Sequence, residues 1–68
     1  MDKALLRSYM AKHEDIQSEL ADAMGISLSR LNAKINEFQG AAFTQTEMQF
    51  IIDRYKLSRD EAYCIFFK

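Results

Sequence analysis

The chain has 68 residues, 49 % of them hydrophobic, with no proline, two glycines, one cysteine and ten acidic against nine basic side chains, a formal net charge of -1. One domain over residues 1-68 fills that length and hides only about 60 % of its unfolded surface, and the composition argues for a compact all-α fold over a disordered tail or a turn-rich β-sandwich. The lone Cys64 rules out an internal disulfide, and no apolar run has the length of a signal peptide core or a bilayer span, so a cytoplasmic protein with no membrane partner is expected.

From Asp2 to about Lys12, Leu5, Leu6, Tyr9 and Met10 recur on one side at helical spacing, with Asp2 available as N-cap, which predicts a core-facing helix. His13, Glu14 and Asp15 follow as a cluster of ligand-type groups. Adjacent side chains at a helix start diverge, however, and no second cluster completes a metal or catalytic site. No catalysis, cofactor or small-molecule substrate is expected.

The run QSELADAMGISLSRLNAKIN, Gln17 to Asn36, has the spacing of two short helices joined by a tight turn. A second helix is expected from near Asp15 to Met24 and a third from about Leu28 to Asn36. Ala21 lets the two backbones approach closely, and Gly25 supplies the positive backbone angle that a sharp reversal favours. Leu31 and Ile35, four apart, can pack against Leu20, Ala21 and Met24 with Ile26 under the bend. Ser29, Arg30, Asn32, Ala33 and Lys34 are left facing outward, with Ser27 as N-cap. Between Gly25 and Asn36 there are basic residues and no acidic one, whereas Glu14, Asp15, Glu19 and Asp22 crowd the start and exposed side of the preceding helix.

Glu37 to Phe43 loses periodicity and reads as a loop whose Phe38 and Phe43 fold inward to close the core. Thr44 with Glu47, and Ser58 with Glu61, are two capping boxes that open a fourth and a fifth helix. In the fourth, Met48, Ile51, Ile52 and Tyr55 form the apolar stripe and leave Gln49, Asp53 and Arg54 to water. In the fifth, Ala62, Ile65 and Phe66 share a face while Tyr63 and Phe67 point elsewhere. This surplus has two readings: the last aromatics wrap over the core, or Phe50, Tyr63 and Phe67 meet a second copy across a two-fold axis. A dimer of that kind could set the two copies of the third helix roughly 34 Å apart, one turn of B-DNA.

On Gln17, Leu20, Ala21, Gly25, Ile26, Ser27 and Leu31, the chain resembles the lambda-repressor-like helix-turn-helix family, in particular small phage repressor and Cro proteins. The resemblance covers nearly the whole chain and implies a compact five-helix DNA-binding domain. It implies a phosphate contact for Gln17 and a second backbone contact for Asn36. Base-reading positions fall on Leu28, Ser29 and Ala33, with Arg30, Asn32 and Lys34 nearby. Relatives often place a glycine directly after the residue matching Asn36; here Glu37, Phe38 and Gln39 precede Gly40.

The expected function is thus a sequence-specific transcription regulator whose partner is double-stranded operator DNA. The alternative, favoured by the negative net charge and by the apolar Leu28 and Ala33, is an antirepressor-like protein-interaction module on the same fold that has lost DNA binding.

Overall fold

The computed structural model describes Met1 to Phe67, and among these residues every regular element is helical. The order is α1 (Lys3–Lys12), α2 (Gln17–Met24), α3 (Leu28–Asn36), a single 3-10 turn (Phe38–Gly40), α4 (Gln45–Tyr55) and α5 (Arg59–Phe66). No helix of the described residues is long and apolar enough to cross a membrane.

Local capping accounts for most boundaries. Asp2 accepts from the Leu5 N–H at 3.0 Å to start α1, and Ser27 accepts from the Arg30 N–H at 3.2 Å to start α3. Both capping boxes form, Thr44 with Glu47 and Ser58 with Glu61, each satisfying two otherwise orphaned donors. The second helix is the exception. It begins at Gln17, later than the expected start near Asp15, behind an extended Ile16 that lends no side-chain cap.

One core unites the helices: Leu6 and Met10 from α1, Leu20 and Ala21 from α2, Leu31 and Ile35 from α3, Ile51 and Tyr55 from α4, and Ile65 from α5. These are the positions that the helical periodicity assigns inward. The ends of the chain are drawn together, since the Asp2 N–H donates to the Ile65 carbonyl at 2.8 Å and the Tyr9 hydroxyl donates to Glu61 at 2.7 Å.

Three expectations are corrected. Phe38 does not fold inward; it is 63 % exposed, because the backbone around it turns left-handed at Glu37, Gln39 and Gly40 and carries its ring to the solvent side. Phe43 does close the core, edge-on to Phe66 at 6.1 Å between ring centres. Asp15 is not on an exposed helix face. Its carboxylate is buried between α1 and α4, where Arg54 donates to it through Nε at 2.8 Å and Nη2 at 3.1 Å and Tyr55 donates its hydroxyl at 2.5 Å. Arg54, expected in water, is thereby bound. The Arg54 hydrogen bond outweighs burial and holds the Asp15 carboxyl below the usual range, while burial and the Asp15 carboxylate push the Tyr55 hydroxyl up.

Candidate nucleic-acid interface

The α2–α3 corner is built around Gly25. Its φ of 74° is left-handed, and the following N–H groups close the end of α2: Gly25 donates to Asp22 at 3.1 Å and Ile26 to Ala21 at 3.0 Å. Ser27 then caps α3 within two residues. The bend leaves Leu31 and Ile35 at 0 % and 1 % exposure beneath α3, and turns its opposite side outward.

On that side Ser29, Arg30, Asn32 and Asn36 are exposed, Leu28 is 49 % exposed at the start of the helix, and Ala33 is half-buried. Ser27 spends its oxygen on the cap. Gln17 is half-buried at the first position of α2, beside first-turn N–H groups that have no capping side chain. The expected face therefore exists in space, with one member removed.

Lys34 is that member, and its assignment as an outward cation is corrected. Only 9 % of the residue is exposed, and its ammonium donates to Glu47 at 2.8 Å and to the Ala42 carbonyl at 3.4 Å. Its long stem crosses the apolar edge of α3 to reach the start of α4, so its charge is spent inside the protein. Burial pushes the Glu47 carboxyl up, but hydrogen bonds from Lys34 and Thr44 together hold it below the usual range.

Two residues join the face that sequence reasoning did not place there. Lys3, from the first turn of α1, donates through Nζ to Asn36 Oδ1 at 3.1 Å, and so brings a second cation beside α3. Phe38 stands next to Ser29, Asn32, Ala33 and Asn36 around a shallow depression. Neither had a sequence signal, since the first needs a contact across 33 positions and the second depends on the turn's backbone. Asn36, the expected second backbone contact, is exposed, accepts from Lys3 and donates its amide to Asn32. The acidic Glu37 that follows faces the Met1 amino group at 3.3 Å.

Elsewhere, Tyr63 and Phe67 lie together on the surface with ring centres 6.1 Å apart, whereas Phe50 is half-buried against the core and borders Gln45, Thr46, Gln49 and Asp53. Comparison with family models, curated proteins and solved structures returns no match, so the interpretation of the α3 face stands on its geometry.

Proposed function

We propose that the chain is a sequence-specific DNA-binding transcription regulator of the phage repressor or Cro type, which inserts α3 into the major groove of an operator. The observation that carries this reading is the two-sidedness of α3. Its apolar side is sealed in the core, while Ser29, Arg30, Asn32 and Asn36 form an exposed polar row with Lys3 alongside and no acidic residue from Gly25 to Asn36.

Roles follow from chemistry. Arg30 and Lys3 suit phosphates, and Gln17 with the uncapped first turn of α2 suits another, since free N–H groups and the helix dipole attract an anion. Ser29 and Asn32 can hydrogen-bond base edges, and Leu28 and Ala33 can meet a thymine methyl. Occupation of the operator would then exclude polymerase or a competing regulator.

Selection from randomised duplexes tests this reading. An enriched motif supports it, and Arg30→Ala is expected to weaken binding across all sequences and flatten the salt slope by about one. A selection that enriches nothing would sink it.

A second reading has an observation of its own. The withdrawal of Lys34 by Glu47 leaves the face less cationic, and Tyr63 with Phe67 offers an apolar patch, as a protein-interaction module would need. Failure to shift DNA at low salt, together with a stable complex with another regulator, would favour that module.

A further inference from the structure

Phe38 is an apolar ring held out of the core by its own backbone. It is 63 % exposed, and its neighbours Glu37 and Gln39 both take positive φ, 52° and 51°, a conformation that costs free energy in any residue with a side chain. The turn sets the ring beside α3, where Phe38 lines one shallow depression with Ser29, Asn32, Ala33 and Asn36. None of these five residues is charged, and the non-polar side chains among them are Ala33 and Phe38.

We infer that this depression takes the C5-methyl group of a thymine, with Phe38 as a specificity-determining residue; the inference rests on α3 being a major-groove helix. The major-groove edges of the base pairs present donors and acceptors, and the thymine methyl is their one apolar substituent. Phe38 and Ala33 offer a donor or acceptor nothing, and either ring or methyl set against such a group would strip its water without a replacement bond. Against the thymine methyl they remove apolar surface from water on both sides. The charge around the depression suits the same occupant. Arg30 is exposed on α3 and Lys3 is bonded to Asn36, so positive charge on this face meets the phosphates of the duplex. A cytosine in that place presents a bare C5–H and leaves the contact short by one methyl group. Thymine is thus preferred by shape and hydration, with no hydrogen bond required.

Replacing thymine by uracil removes that methyl and nothing else, which separates this contact from hydrogen-bonded readout. After duplex selection, each thymine of the enriched motif is replaced in turn. One position is expected at which uracil weakens binding of the unaltered protein about fourfold, the worth of one buried methyl group, and at which Phe38→Ala binds thymine and uracil alike. Phe38→Leu, still apolar, keeps the preference. With cytosine at that position, a 5-methyl group on the cytosine is expected to strengthen binding of the unaltered protein and not of Phe38→Ala. If no thymine shows a methyl effect that depends on Phe38, the inference is overturned while DNA binding stands. The same holds if Phe38→Ala weakens thymine and uracil duplexes by one common factor, as a ring packed on the sugar-phosphate backbone would. A selection without any motif overturns the DNA-binding reading and this inference with it. In the complex of the unaltered protein, a thymine methyl is expected to show nuclear Overhauser contacts to the Phe38 ring; their absence overturns the inference whether or not the variants fold.

Discussion

The Lys34 ammonium lies 2.8 Å from the Glu47 carboxylate, and this contact turns a cation of the candidate DNA-reading helix into the tie between α3 and α4. Both side chains are mostly out of water, so the pair is not the weakly coupled kind found on exposed surfaces.

Lys34→Met is therefore expected to cost about 1 to 3 kcal/mol in urea denaturation, the range for losing a hydrogen bond to a charged group. Its DNA-binding salt slope should stay that of the unaltered protein, in contrast to Arg30→Ala. A flattened slope in Lys34→Met would mean that the ammonium leaves Glu47 to meet a phosphate.

Asp15 makes stability depend on acid. Its folded pKa lies below the unfolded value of about 3.9, so its contribution is complete above that pH and is lost as pH falls through the lower folded value. Glu47 shares the sign. Urea midpoints measured between about pH 7 and about pH 2 should fall on the acid side, and Asp15→Asn should flatten that fall. Asp15→Ala at neutral pH is expected to cost about 2 to 3 kcal/mol, because the buried Tyr55 hydroxyl loses its acceptor.

Gly25→Ala isolates backbone strain. A Cβ built at Gly25 meets nothing within 4 Å, yet φ is +74°, where a side chain is disfavoured whatever the space. A loss of about 1 kcal/mol with an intact fold is expected, the cost of a left-handed residue. A loss several times larger in thermal unfolding would point to packing instead.

Phe38 and Phe43 should respond unequally to truncation. Phe38→Ala is expected to change stability by less than about 0.5 kcal/mol, as exposed positions do. Phe43→Ala, which removes a half-buried ring from against Phe66, should cost about 2 kcal/mol, below the range for a fully buried phenylalanine. Equal losses in urea would show that the Phe38 ring packs inward in solution.

Features set within a turn or two of the chain were legible in the sequence. The caps at Asp2, Ser27, Thr44 and Ser58, the left-handed Gly25, and the inward placement of Leu6, Leu31, Ile51 and Ile65 all follow from neighbours a few residues away. What escaped was decided across the fold. Asp15 waits for Arg54 and Tyr55, and Lys3 for Asn36; no local pattern marks a side chain whose partner lies on another helix. Lys34 is instructive, since its i, i+4 spacing from Arg30 fits a solvated cationic face, and Glu47 with the Ala42 carbonyl draws it inside. Phe38 failed for a different reason, as positive φ at the non-glycine residues Glu37 and Gln39 is disfavoured by propensity and overrode an apolar residue's preference for the core.

The hydrogen bond from Asp2 to Ile65 fastens the opening of α1 to the last turn of α5. The residue after Asp2 is Lys3, whose ammonium donates to Asn36 on α3. Fraying of α5 is thus thermodynamically linked to the surface of α3: any ligand or substitution that loosens the final helix slackens the tether of Lys3, and would register as loss of its bond to Asn36 before the domain melts.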